Sequence, residues 1–534
     1  MSTEGQGPRG SKGLVWDRLS DSNRRQFITG AMRLGLGAVA APVLVEALSA
    51  CSALSSAKKT LTWSRGDDLR TQDPQLIAGL MEGTIARVLY DPLMDTDNQG
   101  NTVKALATDS SMSEDGMSYT FKIQQGVLFH DGNELKSDSV VFTFQRLLDN
   151  PKMQHASAFT GVLKQVTAVD PYTIKFDLAK PNPGLITSFG EPILSLPASK
   201  KYGADFFKQG IGTGAFKYNS WTPNARWIGD AWDKYWVKGL VKLDQITFRS
   251  ISEDATRIAA LQNGEVDVID SLAGDQAEQL GKDPNINIVR SPATNELAVT
   301  FNVRKGPFTN KDARWAVAYA VDTENIVKNI VKAGKTVGAS IPPGTVGYDD
   351  ALFKKVIPYD MNKAKQLFAQ AGLKPGTKIS FKLNPAWFAR MKESSEYIAN
   401  QLRTLGFDVN LQFLEPGAYT QARKSGDFDM AIQEIGRAFN PDANLTTIIA
   451  NETFGNFYKE INPNIVTMIE QARSELNAQK RNTDYQAIQQ ALYDDLPEFI
   501  LYQEEFIWAV RKRVTGFAGR VTGDTRVWAC GVTS

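Results

Sequence analysis

Apolar and polar residues alternate along many stretches of this chain. Tyr119, Phe121 and Ile123 alternate with Thr120, Lys122 and Gln124, the period-2 pattern of a half-buried strand. Gln125-Gly126 breaks the run, and Val127 to Phe129 makes a second short one before His130-Asp131-Gly132-Asn133. Gly and Asx residues suit that tight turn. Ser137 to Leu148 then reads as a capped helix with an apolar face. The same patterns predict strands over 60–63, 167–169, 173–178, 243–248, 265–269, 297–302, 379–383, 407–413, 427–432 and 499–502. They predict helices over 81–89, 253–261, 311–331, 361–371, 393–405, 463–476 and 480–492. Strands alternating with helices in the C-terminal half indicate an α/β lobe with a mainly parallel sheet.

Residues 1–51 lack this patterning. Arg24-Arg25 and Phe27 precede an apolar, Gly/Ala-rich run from Gly30 to Leu48, interrupted by Arg33 and Glu46. The run ends in Leu48-Ser49-Ala50-Cys51. The arginine pair resembles a twin-arginine export signal, and the ending resembles a bacterial lipoprotein cleavage box. Both imply export, cleavage before Cys51 and lipidation of that cysteine, which holds the protein at a membrane face. The general secretory route is the alternative. A transmembrane anchor is disfavoured, since the run is short and carries two charges. Residues 52–59 read as a tether.

Composition narrows the function. A chain of 534 residues implies two or three domains. Sixty Lys+Arg and 59 Asp+Glu are interspersed, for a net charge of +1, which argues against a nucleic-acid surface. With Cys51 lipidated, Cys530 is left as a half-buried structural thiol with no disulfide partner. Only His130 and His155 are present, so no metal site or other cofactor is expected. No G-x-S-x-G or H-E-x-x-H motif appears, and an enzyme is not expected. Glu265 and Asp267 read as polar strand positions.

Ser113, Asp115-Gly116, Tyr119 to Phe121, Gly126-Val127, Phe129 to Gly132, Asp138, Phe142-Thr143 and Arg146 stand in one register. Together they resemble a signature of the peptide-binding family of extracellular solute-binding proteins, the receptors of ABC importers. Gly212 to Tyr218, Ala260 to Val268 and Pro307 to Asp322 resemble further motifs of that family. The resemblance runs from Trp63 to about Gly519. It implies an α/β, two-lobed periplasmic-binding-protein fold of type II with an extra subdomain. Lobe I would comprise 60–94, 221–300 and 501–534, the subdomain 95–220, and lobe II 301–500. Two crossover strands, near Phe301 and Leu501, would hinge the lobes around a ligand.

The resemblance also implies partners: a small-molecule or peptide ligand, permease subunits with their ATPases, and the membrane through the lipid anchor. The receptor would be a monomer, exported to the periplasm or the outer face of the cytoplasmic membrane. A ligand sensor or surface lipoprotein uses the same fold. In peptide-binding members an Asp pairs with the ligand's ammonium, and here that position falls on Ala438, preceded by Arg437. A cation in that place suggests an anionic, opine-like or sugar-type ligand, since Arg presents a bidentate fork. The alternative is a surface Arg437 paired with Glu434 or Asp442. A short gap would instead bring Asp442 to the site and restore a peptide. The resemblance adds Asn440, Glu82, Arg423, Trp387 and Phe388 as candidate contacts.

Overall fold

The computed structural model describes residues 58–533, except 78, 386–389, 437–439, 446–448 and 450–456. In chain order its principal elements begin with β1 (Thr60–Arg65) and α1 (Leu80–Leu89). β2 (Ala107–Met112), β3 (Ser118–Ile123), α2 (Ser137–Asp149), β4 (Leu163–Asp170) and β5 (Thr173–Leu178) follow. Next come β6 (Phe216–Thr222), β7 (Arg226–Ala231), β8 (Gln245–Ser250), β9 (Val268–Ile269) and α3 (Gly274–Leu280). The rest are β10 (Ile286–Phe301), α4 (Lys311–Ala320), β11 (Thr377–Leu383), α5 (Met391–Leu405), β12 (Phe407–Phe413), β13 (Met430–Gly436), α6 (Ala478–Asp495) and β14 (Glu498–Arg511).

One ten-stranded sheet runs in the order β12-β11-β13-β10-β14-β9-β1-β8-β7-β6. Its middle pair, β10 and β14, is antiparallel and unusually long, and its register shifts between Pro292 and Glu296. On one side of that shift Leu297, Val299, Phe301, Phe499 and Leu501 pack in the core of lobe II. On the other side Ile286, Ile507 and Ala509 pack in lobe I. The chain therefore crosses between lobes near Pro292 to Glu296 and near Gln503 to Glu505, displaced from the expected Phe301 and Leu501. An alternating strand pattern looks the same in both lobes, and only the packing partners mark where it changes core.

The extra subdomain is the four-stranded antiparallel sheet β2-β3-β5-β4 with α2 against it. It shares one continuous core with lobe I. The rings of Phe121 and Phe176 meet Phe189 at 4.6 and 4.7 Å, edge-on contacts that add to area burial. β6 joins the large sheet as its edge, so the subdomain stops short of 220. Val127 to Phe129 forms no strand. The helix expected over 311–331 breaks after Ala320, because the Asp322 side chain accepts from Asn325 N at 2.9 Å and starts a new turn.

The turn at His130 fastens the subdomain to lobe I. Gly212 N donates to His130 Nδ1 at 3.2 Å, and Nε2 lies 2.9 Å from Gly214 O. Burial pulls the imidazole pKa down to about 4, so it is a neutral structural donor and acceptor. Gly212 and Gly214 are required there, since a Cβ would fall 2.0 Å from Leu89 O and 2.4 Å from Val88 O. Asp267 is held by Arg513 at 2.6 Å. Cys530 is fully buried rather than half-buried, and burial pushes its thiol up to about 12. Among the described residues, no helix is long and apolar enough to cross a membrane.

Candidate ligand cleft between the lobes

The crossover strands carry a cluster of polar side chains. Along β14 the apolar pattern is interrupted by Gln503-Glu504-Glu505. By strand alternation Glu504, Phe506 and Trp508 share one face. The C-terminal segment lies on that face: a Cβ on Gly519 would meet the Trp508 ring at 2.4 Å, and one on Gly523 the Phe506 ring at 2.7 Å. Thr294 N donates to Val521 O at 3.1 Å, which ties this cover to the hinge.

Glu434 enters the same space from lobe II. It stands opposite Leu297 on β10, and Asn295 Nδ2 donates to its carboxylate. Burial, and then the charge of Glu434, hold the Glu504 carboxyl well above the ordinary carboxylate range. Glu434 is also raised, by burial, with the Asn295 hydrogen bond opposing. Both residues are only half-buried by surface area. Among the described residues, no Lys, Arg or His bonds either carboxylate.

Lobe I adds a concavity of about 280 Å³ over the exposed side of α1, closed at one end by Thr522 and Asp524. Asp524 is not a free anion, because it pairs with Arg87 and with Arg520 at 3.2 Å. Asp95 belongs to the same network, with Arg87 at 2.7 Å, Arg526 at 2.6 Å and Arg520 at 3.3 Å. Burial alone would raise the Asp95 carboxyl, but the three guanidinium groups hold it far below its ordinary range.

The lobes also touch at the rim. Arg390, at the start of α5, donates to Asp275 of α3 at 2.5 Å and to Glu393 at 3.0 Å. Lys332 lies 3.4 Å from Glu278, one turn along α3. Elsewhere Asn440 Nδ2 donates to Gly184 O of the subdomain at 3.2 Å.

The candidates from sequence fare differently. Asn440 is buried at a junction between lobe II and the subdomain. Asp442 accepts from Arg473 Nε at 2.7 Å, so its charge is answered within lobe II. Glu82 is a capping residue: Gly79 N and Arg70 donate to its buried carboxylate, Arg70 Nη2 at 2.8 Å. Arg423 donates to Gln433 at 3.1 Å and lies over the Tyr419 ring. Gln433 and Glu434 alternate, so this contact places Arg423 on the face of β13 opposite the carboxylate pair. The structure thus brings Asn440 to the lobe junction and engages Glu82, Arg423 and Asp442 in internal pairs. Arg437, Ala438, Trp387, Phe388, Cys51, Arg24 and Arg25 lie outside the described residues. Glu504 escaped the sequence reading, and Glu434 entered it only as a partner for Arg437. The signal for Glu504 was three polar residues in mid-strand, where a buried strand should be apolar.

Two lobes joined by two long strands of one sheet are the architecture that this chain shares with solved solute-binding proteins. The middle-region model of bacterial extracellular solute-binding proteins, family 5, matches residues 101–456, and the chain belongs to that family. Its members are solute receptors of ABC importers, not enzymes. The glutathione-binding protein GsiB of Salmonella typhi is 26% identical over 521 residues, covering 92% of this chain and 96% of its own length. Its counterpart in Escherichia coli K12 is 24% identical over 499 residues, with 90% and 95% covered. The ABC transporter-associated periplasmic binding protein DppA from Helicobacter pylori, in complex with peptide STSA, superposes with a TM-score of 0.76 at 26% identity, covering 89% of this chain and 99% of that one. CtaP from Listeria monocytogenes shares the fold, with a TM-score of 0.81 at 23% identity, covering 89% and 100%.

Proposed function

We propose that this protein is the receptor for a small peptide-like zwitterion, whose ammonium group sits between Glu434 and Glu504. One observation carries this: two crowded carboxylates face each other at the lobe crossover with no described cation to answer them. Such a pair is costly when empty and becomes an asset when a cation arrives, because charge-assisted hydrogen bonds are the strong ones. Relatives named as glutathione-binding, or solved with a peptide, support the choice, since those ligands carry an ammonium group. Arg437 would take the ligand's carboxylate, which keeps the anionic preference read from sequence within the same zwitterion. In this reading Cys51 carries the lipid after export through Arg24-Arg25, and the closed receptor delivers its ligand to a permease.

Calorimetry with free and N-acetylated tripeptides tests the ligand. Free tripeptides should bind, and acetylation should weaken them by roughly tenfold to hundredfold, as should Glu504→Gln. Binding should tighten as pH rises and Glu504 ionises. Equal affinity for acetylated and free peptides would sink the proposal.

A further inference from the structure

Lobe II also touches the extra subdomain, and two glycines mark the contact. The turn 113–117 joins β2 to β3, and Gly116 N donates to Ser113 O across it at 2.9 Å. Gly116 has a φ of +70°, which by itself favours glycine. Its open side is also a seat. A Cβ there would fall 2.5 Å from Leu476 Cδ2 and 3.0 Å from Pro181. Leu476 stands just before α6, remains 38% exposed, and lies outside the lobe II core. The subdomain is therefore the packing surface the structure shows for it.

The second glycine repeats the arrangement without a turn to require it. Gly184 has no positive φ. Its Cβ position is taken by Asn440 of lobe II, whose Oδ1 and Cγ would lie 3.0 and 3.4 Å away. Asn440 Oδ1 accepts from Asp442 N at 3.1 Å, while Nδ2 donates to Gly184 O at 3.2 Å. One end of the side chain starts the helix Pro441–Leu445, and the other holds the subdomain. Tyr119 braces the loop beneath, its hydroxyl 3.1 and 2.9 Å from Asn182 O and Pro183 O. Neither contact is ionic, and neither merges the cores, since the subdomain packs with lobe I and lobe II has a core of its own. Such contacts can part and re-form while both cores stay intact.

We propose that the extra subdomain is a clasp for lobe II. Leu476 and Asn440 land on the seats at Gly116 and Gly184 when the lobes close, and lift from them when the lobes open. The clasp needs no ligand, so its test stands apart from the ammonium-binding reading. In a chain carrying Cys51→Ser, the pair Gly184→Cys and Asn440→Cys should link under copper–phenanthroline, because a disulfide needs Cβ atoms about 4 Å apart. Cys530 is fully buried and does not compete. The linking rate reports how often the seats meet. Adding Leu476→Asp, which spoils the other seat, should slow it roughly tenfold. High salt should leave that factor unchanged, unlike the ionic rim. In small-angle scattering, the linked protein should have a radius of gyration roughly 1 Å smaller than its unlinked Leu476→Asp counterpart. Failure to link, a rate indifferent to Leu476→Asp, or equal radii would each overturn the clasp. Should Leu476→Asp fail to fold, Leu476→Ala carries the same test, with a severalfold slowing expected.

Discussion

Two groups of charges lie near one another in this receptor under opposite rules. Around Asp95 and Asp524 every carboxylate is met by guanidinium groups from Arg87, Arg520 and Arg526. At the crossover Glu434 and Glu504 confront each other, with only the Asn295 amide to assist among the described residues. Both settings crowd out water, and burial disfavours charge in each. In the first, opposite charges outweigh that cost and the acids stay ionised. In the second no described cation does, and both carboxyls are held above their ordinary range. The first group staples the C-terminal segment to lobe I and is complete without a ligand. The second has no counter-charge among the described residues, and the proposed ligand's ammonium would supply it.

The sharpest way to break the contrast is Asp95→Asn. It leaves three crowded arginines short of a counter-charge and should cost about 3–5 kcal/mol in urea unfolding. A loss below about 1 kcal/mol would mean that water, not Asp95, solvates those arginines. Glu504→Gln should act the other way, raising the ligand-free protein's stability by on the order of 1–2 kcal/mol near pH 8.

The pH dependence separates the two groups further. The Glu504 pKa is raised in the fold, so the native state keeps a proton that the unfolded chain releases above its ordinary value of 4.5. Its stabilising contribution is full below that value and is lost as pH rises through the folded pKa. Asp95 is depressed, so its contribution holds above 3.8 and is lost as pH falls below it. The stability difference between wild type and Glu504→Gln should therefore widen with rising pH. A difference that stays flat from pH 5 to 9 would show that Glu504 ionises freely. The smallest effect is expected at the rim. Arg390 and Asp275 are both substantially exposed, so Arg390→Ala should cost at most about 1 kcal/mol. It should open the lobes measurably in small-angle scattering at low salt and leave the high-salt profile unchanged.

The sequence was most legible where a residue's job is local. Period-2 and helical patterns located β1, β3, β5, β11, β12, α1 and α5 to within a few residues. They missed β7 and the inner halves of β10 and β14. A strand such as Ile286 to Phe301 mixes exposed and buried positions differently in its two lobes, and no single alternation describes it. Glu82, Arg423 and Asp442 were suggested by their place in a family pattern. That pattern cannot show that Arg70, Gln433 and Arg473 stand ready to engage them.

The amino-acid sequence alone therefore determined the class of this protein. Turn chemistry at His130 and Gly212, and the register of the motifs around them, are short-range features that a linear reading captures. Tertiary structure decided where the chain changes lobes and which charges remain unanswered. Glu434 and Glu504 stand some seventy residues apart, and their repulsion exists only because β13, β10 and β14 lie side by side in one sheet. A charge's energy depends on what surrounds it in space, and that environment is set only once the strands have paired.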